Sequence, residues 1–237
     1  MDHNCGFAVA HSLHDVYAYI SSLQHRGREA VGIIVIGERK IDVAKWIGLV
    51  KDFSLTDLHK IFPAHRYHTY IIHVRYATRG RKDRILEDAH PHTIGGTVYN
   101  RGSHIFILDC EMAIVHNGQV GGEYLADIDK SHLHTGCDTE ALLHFYKAHG
   151  EYELMQKIPG AYTLAIADKK RPEVIVMRDR TGIKPGVLGQ KDGKFAVASE
   201  DIALENNGAR FIEDLIPGFI YYLDANGSCR DIFVTEP

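Results

Sequence analysis

The chain has 237 residues, of which 45% are apolar and 24% are charged, and this composition excludes a disordered chain and a disulfide-stabilised miniprotein. Its formal net charge of −4 leaves no basic surplus for a phosphate backbone, so we expect no nucleic-acid partner. No apolar stretch reaches the ~18 residues of a membrane-spanning helix, and the N-terminus lacks the pattern of a signal peptide. The sequence therefore predicts a cytoplasmic protein without membrane contact.

Along the chain, the apolar pattern predicts many short strands and few helices. An amphipathic helix is predicted around residues 16–23, a short one at 55–62 after the capping residue Ser54, and a long one at 138–149, ended by Gly150. Residues 78–103 show little pattern and predict a long functional loop. The predicted strands are 7–10, 31–36, 41–47, 70–76, 105–108, 112–115, 161–167, 174–177, 187–188, 195–198, 219–223 and 232–234. This order predicts one α+β domain with mainly antiparallel sheets.

Four short motifs each allow a functional and a plain structural interpretation. Cys5 is either a buried apolar residue or, once it is the first residue, a nucleophile whose own α-amine is the base. Arg75 at a strand end is either a surface arginine or a bidentate carboxylate ligand. Asn117-Gly118 is either a turn or an oxyanion hole. Asp138 either caps the long helix or pairs with a substrate ammonium group.

Together, these motifs supply a thiol, a carboxylate-binding arginine, an oxyanion-type Asn-Gly pair and an ammonium-binding carboxylate. Glutamine is an amino acid that needs these four contacts for attack on its side-chain carbonyl. With this set of motifs, the chain resembles the class II glutamine amidotransferase domain of the N-terminal-nucleophile hydrolases, and most of all the glutaminase half of amidophosphoribosyltransferase. The motifs that carry the resemblance are Leu23-Gln24-His25-Arg26-Gly27 with Ala30 and Gly32, His73-Val74-Arg75-Tyr76, His116-Asn117-Gly118, Asp138-Thr139-Glu140, Gly160-Ala161-Tyr162, Arg178-Asp179 with Gly182 and Pro185, Ala198-Ser199-Glu200, and Pro217-Gly218.

The resemblance implies a four-layer αββα sandwich of two mainly antiparallel sheets between helical layers. It also implies that Cys5 is the nucleophile, that Arg75 holds the glutamine α-carboxylate, and that Asp138 holds the α-amino group. Asn117 and Gly118 would form the oxyanion hole. Glutamine would then be cleaved through a γ-glutamyl thioester to glutamate and ammonia, with no metal and no organic cofactor.

Two further substrate-binding residues follow from the same resemblance. Tyr76 and Thr78 fall in the segment that corresponds to the glutamine loop of the family.

The resemblance also carries expectations about processing and partners. Residues 1–4 would be a propeptide-like leader, whose removal frees the amine of Cys5, and 5–237 would be the amidotransferase type-2 domain. No phosphoribosyltransferase or other synthase pattern is found in the sequence, so the ammonia acceptor is either a separate synthase subunit or absent from a stand-alone glutaminase. The expected ligand is L-glutamine, the expected setting is purine biosynthesis, and a homo-oligomer is compatible with the sequence.

The alternative is a catalytically silent domain of the same fold, either unprocessed or regulatory and metal-binding. Its evidence is the surplus of 16 histidines, some of them two residues apart, as in His90 and His92 or His132 and His134. No cluster of Glu, Asp or Cys residues joins these pairs at the spacing typical of metal sites, so spacing alone predicts no metal site.

Overall fold

The computed structural model describes residues 5–76, 84–125, 128 and 130–236. Its helices are α1 (Leu13–Ser22), α2 (Leu55–Ile61), α3 (Ile85–Asp88), α4 (Asp138–Lys157) and α5 (Asp201–Glu205). Its strands are β1 (Gly6–Ala10), β2 (Ala30–Gly37), β3 (Lys40–Ile47), β4 (Thr69–Arg75), β5 (His92–Ile94), β6 (Thr97–Asn100), β7 (His104–Leu108), β8 (Met112–Gln119), β9 (Ala161–Asp168), β10 (Val174–Arg178), β11 (Val187–Lys191), β12 (Lys194–Ala198), β13 (Arg210–Asp214), β14 (Phe219–Leu223) and β15 (Cys229–Phe233). None of the helices in these ranges is long and apolar enough to cross a membrane.

The strands form two antiparallel sheets. One has nine strands in the order β13-β11-β12-β1-β4-β2-β3-β7-β6, and the other has six in the order β15-β14-β10-β9-β8-β5. Because side chains alternate along a strand, each sheet has two apolar faces to bury. Strand β4 lies between β1 and β2, so its C-terminal end is in the middle of the larger sheet.

Three apolar layers hold the sheets and helices together. One layer joins α1, α2 and α5 to the larger sheet, with Tyr19 of α1 and Leu204 of α5 fully covered. A second fills the space between the sheets, and the third joins α4 to the smaller sheet through Leu142 and Leu154. Removal of this apolar surface from water is the main force that stacks the layers. The predicted four-layer αββα sandwich is thereby confirmed.

Several local predictions are confirmed as well. The side chain of Ser54 accepts a hydrogen bond from the backbone N–H of Asp57, which satisfies a free donor at the start of α2. The backbone leaves helical geometry at Gly150, with φ 82°, so α4 consists of two helical segments that meet at this residue. A left-handed residue of this kind favours glycine because it has no Cβ.

Two local interpretations differ from the structure. The described part of the predicted loop, 84–103, contains α3, β5 and β6, which are too short and polar to give a periodic signal. Strand β8 continues through Asn117-Gly118 to Gln119 and pairs with β9 over its whole length, so this Asn-Gly pair is not a turn. Tertiary pairing overrides the local preference of the dipeptide there.

Candidate active site

Cys5 lies directly before β1, at the middle of the larger sheet. In the register of β1 with β4, Gly6 is opposite Val74, which brings Cys5 to the end of β4. The backbone N–H of Tyr76 points to the Cys5 Sγ at 3.4 Å, and the thiol lies 3.7 Å from the Tyr76 carbonyl oxygen. The backbone of the residue directly after β4 therefore contacts the sulfur atom.

The carbonyl group of Cys5 is held by residues of two of the family-like motifs. The Arg26 Nε donates to the Cys5 carbonyl oxygen at 2.9 Å, and Arg26 also pairs with Glu200. Gly27 allows the segment of Arg26 to approach β4, because a Cβ at this position would lie 2.5 Å from the Arg75 carbonyl carbon. Motifs distant in sequence thus converge on Cys5.

The thiol of Cys5 is protonated at neutral pH unless a base acts on it. Burial raises the pKa of Cys5, and the backbone hydrogen bond of Tyr76 and the positive charges of Arg75 and Arg26 counteract this only in part. Because the thiolate is the nucleophilic form of cysteine, a nucleophilic role for Cys5 would require a base beside the sulfur.

A cavity of about 990 Å³ opens in front of Cys5. The predicted site residues among those that line it are Cys5, Arg75, Tyr76, Gly118 and Asp138. Thr78 lies outside the described residues, as do residues 1–4. This volume lies at the upper end of the range for small-molecule sites, so an amino acid fits into it.

Asn117 and Gly118 lie on the strand that faces Cys5 from the smaller sheet. Asn117 alternates with Ala113 and Val115, which belong to the apolar layer between the sheets, and it is only 1% exposed. Neither its amide nitrogen nor its amide oxygen has a hydrogen-bond partner in the described part of the chain. A Cβ on Gly118 would lie 2.2 Å from the Ala161 carbonyl oxygen, so glycine is needed here for close strand packing.

Arg75 and Asp138 come from different layers. Arg75 ends β4, is 8% exposed, and its Nη1 lies 3.6 Å from the Glu29 Oε2, so it is not a surface arginine on an edge strand. Asp138 is the first residue of α4, and its Oδ2 accepts the backbone N–H of Val120 at 2.8 Å. The positive end of the helix dipole favours the charged carboxylate there.

The predicted capping role of Asp138 is wrong in detail. Cys137 is the N-cap of α4 and makes no side-chain capping bond. Glu140 instead accepts backbone N–H groups of His134 and Thr135 at 2.8 and 2.7 Å, which ties the preceding loop to the first turn. Asp138 lies in the first turn of α4 and lines the cavity.

A cluster of four buried histidines adjoins the cavity, and the sequence pattern does not reveal these residues as a group. Its members are His73 of β4, His90, His92 of β5 and His116 of β8. His90 Nδ1 lies 2.9 Å from the His73 Nε2, and His73 Nε2 lies 3.3 Å from the His116 carbonyl oxygen, which connects the two sheets. The Thr139 hydroxyl lies 2.9 Å from both the His90 Nε2 and the His116 Nδ1.

These histidines are held in the neutral form. Burial lowers the pKa of His73 to about 3 and of His92 to about 3, and also lowers the pKa of His90 and His116. Neutral imidazoles both donate and accept hydrogen bonds, so the cluster can orient Thr139 and the start of α4 without adding charge to the cavity.

Comparison with known proteins supports the same class. A glutamine amidotransferase domain model matches residues 99–206, which include β8 and the start of α4. The fold and this match confirm the resemblance to the class II glutamine amidotransferase domain.

The similar curated proteins are amidophosphoribosyltransferases. The enzyme of Bacillus subtilis is 30% identical over 229 residues, covering 92% of this chain and 44% of the relative. That of Mycobacterium bovis is 32% identical over 231 residues, covering 89% of this chain and 40% of the relative. The chain thus spans less than half the length of these relatives.

Solved structures show the same fold. Glutamine phosphoribosylpyrophosphate amidotransferase from B. subtilis, in complex with ADP and GMP, matches 98% of this chain and 50% of its own with a TM-score of 0.75 and 24% identity. A glutamine aminotransferase class-II domain protein from Silicibacter pomeroyi matches 98% of this chain and 99% of its own with a TM-score of 0.54 and 15% identity.

Proposed function

We propose that this domain hydrolyses the side-chain amide of L-glutamine, with Cys5 as nucleophile, once residues 1–4 have been removed. The observation that carries the proposal is the shared cavity, in which Cys5, Gly118, Arg75 and Asp138 surround one space. A glutamine in this cavity would have its α-carboxylate at Arg75 and its α-ammonium at Asp138. Its side-chain carbonyl would then lie between Cys5 and β8.

The chemistry follows from the groups around the sulfur. The α-amine of a processed Cys5 takes the thiol proton, and the sulfur attacks the amide carbon. The developing oxyanion is held by the backbone N–H of Gly118 and by the Asn117 amide, whose unpartnered nitrogen is ready to donate. The amine returns the proton to the leaving nitrogen, ammonia departs, and water hydrolyses the γ-glutamyl thioester.

The acceptor of the ammonia is a synthase domain or subunit, by analogy with the amidophosphoribosyltransferases that the chain resembles. The rival proposal is a silent domain in which the leader remains and the amine of Cys5 stays in a peptide bond. The unpaired amide of Asn117 favours the active form, since its donor and acceptor gain a partner only when substrate is bound.

The test combines intact mass with release of glutamate and ammonia. Wild type is compared with Cys5→Ala and with Cys229→Ser, a half-buried thiol in β15 that serves as control. We expect wild type and Cys229→Ser to hydrolyse glutamine and to have the mass of a chain that starts at Cys5. We expect no hydrolysis by Cys5→Ala. Equal ammonia release from Cys5→Ala would refute the proposal.

A further variant separates processing from chemistry. Deletion of residues 2–4 places Met1 directly before Cys5, so that removal of the methionine exposes the amine. Hydrolysis by this variant but not by an unprocessed wild type would show that the leader is the block. No hydrolysis from a variant with a confirmed N-terminal cysteine would favour the silent domain.

A further inference from the structure

We propose that His90, His92 and Cys137 form a binding site for a zinc-type divalent ion at the ammonium end of the glutamine cavity. One ligand atom of each residue lies within 4.8 Å of the other two. Imidazole nitrogen and thiolate sulfur are the donors that zinc prefers, at about 2.0–2.1 and 2.3 Å. Small side-chain movements would bring the three atoms to these distances.

The site is built mainly from buried groups. His90 and His92 are 7% and 4% exposed, and the Nε2 of His92 has no hydrogen-bond partner in the described ranges. A buried polar atom without a partner costs stability, and a bound ion or water is one way to satisfy it. His92 begins β5 of the smaller sheet, His90 lies in the segment directly before it, and the thiol comes from the residue before α4, so the fold presents the ligands from two sides.

Outer contacts are present to orient the ligands. His90 has one nitrogen near the His73 ring and the other near the Thr139 hydroxyl, both at 2.9 Å. An ion would replace one of these bonds, and the remaining bond would fix the ring, as outer contacts do in metal sites.

Charged groups of both signs surround the site. Lys45 is buried nearby, and its ammonium donates to the backbone carbonyl groups of Leu86 and Ala89 at 3.3 and 2.7 Å. Glu140 and Arg75 are also close enough to act on His92, and the Asp138 Oδ1 is 3.6 Å from the Cys137 sulfur. On binding, the thiol of Cys137 would release its proton to solvent.

The fourth coordination position would face the cavity, since both His90 and Cys137 line it. The ion would then bind a water molecule beside Asp138, in the position proposed for the ammonium group of glutamine. A cation there repels an ammonium group, so the ion would compete with glutamine. This inhibitory consequence rests on the proposed hydrolase function, whereas ion binding itself does not.

The test uses Co²⁺ as a spectroscopic probe, because a cobalt–thiolate bond gives a charge-transfer band. Zn²⁺ is then added to displace the bound Co²⁺. We expect one ion per chain and a thiolate band in wild type and in Cys5→Ala. The band should be lost in Cys137→Ser, and affinity should fall at least ~10-fold in Cys137→Ser and in His92→Gln. Serine is a preferred N-cap residue, so Cys137→Ser should remain folded, which circular dichroism checks.

A cobalt–thiolate band that persists in Cys137→Ser, or that disappears in Cys5→Ala, would overturn the proposed site, because the ion would then be bound by another thiol. A second measurement compares the KM for glutamine with and without Zn²⁺. Addition of Zn²⁺ should raise this KM in wild type and leave it unchanged in Cys137→Ser. Cobalt binding without an effect of Zn²⁺ on KM would overturn the competition. If no variant hydrolyses glutamine, the cobalt spectra still decide whether the site exists.

Discussion

At the scale of single residues, Asn117 has an arrangement that folding alone does not favour. Its side chain is almost completely buried, yet both amide atoms lack a hydrogen-bond partner in the described part of the chain. An unpaired buried polar group costs about 1–3 kcal/mol relative to a paired one. Such a cost is reasonable where a transition state supplies the missing partner.

Replacement of this amide should therefore reduce rate and not stability. We expect Asn117→Ala to lower the kcat for glutamine by about 10²–10³-fold, the usual cost of one oxyanion donor. The free energy of unfolding should stay constant or increase, because no hydrogen bond is lost. Steady-state kinetics and urea unfolding of the same preparation measure the two effects.

Asn207 offers a matched control. Its side-chain nitrogen lies 2.8 Å from the Ala203 carbonyl oxygen and 3.0 Å from the Ser22 hydroxyl, and it is not one of the residues that line the cavity. Asn207→Ala should lose about 1–2 kcal/mol of stability and keep its kcat. If Asn117→Ala is the less stable of the two and its kcat is unchanged, the amide is a structural residue.

At the scale of elements, the site depends on close contact between β2 and the segment before β5. Gly32 of β2 lies opposite His73 in β4, and a Cβ on it would be 2.0 Å from the His90 carbonyl oxygen. Because this neighbour is backbone, it cannot turn away as a flexible side chain could. The absence of a side chain at Gly32 therefore sets the position of His90.

Gly32→Ala should displace the segment of His90 and lower the free energy of unfolding by about 1–3 kcal/mol, the usual cost of overpacking. Urea unfolding measures this, with Gly122→Ala as control. Nothing lies within 4 Å of a Cβ at Gly122, so its change should stay within about 0.5 kcal/mol. Equal stability of the two variants would mean that β2 can shift without cost.

The positions of strands and helices could largely be predicted because they depend on local pattern. The apolar runs at 31–36 and 41–47, with a polar turn between them, gave β2 and β3, which pair from Gly37 opposite Lys40 onwards. The end of the first segment of α4 at Gly150 could be predicted for the same reason. Both signals lie within a few residues of the feature that they predict.

Features that arise from distant pairing could not be predicted. Asn117-Gly118 is a strand because β9 pairs with it, and the local dipeptide favours a turn. Cys137 joins His90 and His92 only through the packing of α4 against the smaller sheet, although their sequence positions suggest no common site. The resemblance to a family predicts a nucleophile and substrate contacts, which stay predictions, and it does not explain the histidines.

At the scale of the whole molecule, burial of histidines makes stability depend on pH. Burial lowers the pKa of His73 to about 3, and it lowers that of His11, after β1, to about 4. In the unfolded chain a histidine has a pKa of about 6.5. Below pH 6.5 the unfolded chain therefore binds protons that the folded chain does not, and each such group contributes stability that is present above this pH and lost as pH falls.

We therefore expect the free energy of unfolding to decrease between pH 6.5 and 5, by up to about 1.4 kcal/mol per pH unit for each of these groups. Most carboxyl groups are still ionised in this range, so the slope reports mainly on histidine. Urea unfolding with a chelator present, at several pH values, measures it. His11→Gln removes one such group away from the cavity and should reduce the slope, whereas His65→Gln, at an exposed position, should not. A slope that is the same in all three proteins would show that His11 does not contribute to it, because the folded chain would then bind a proton at His11 as readily as the unfolded chain.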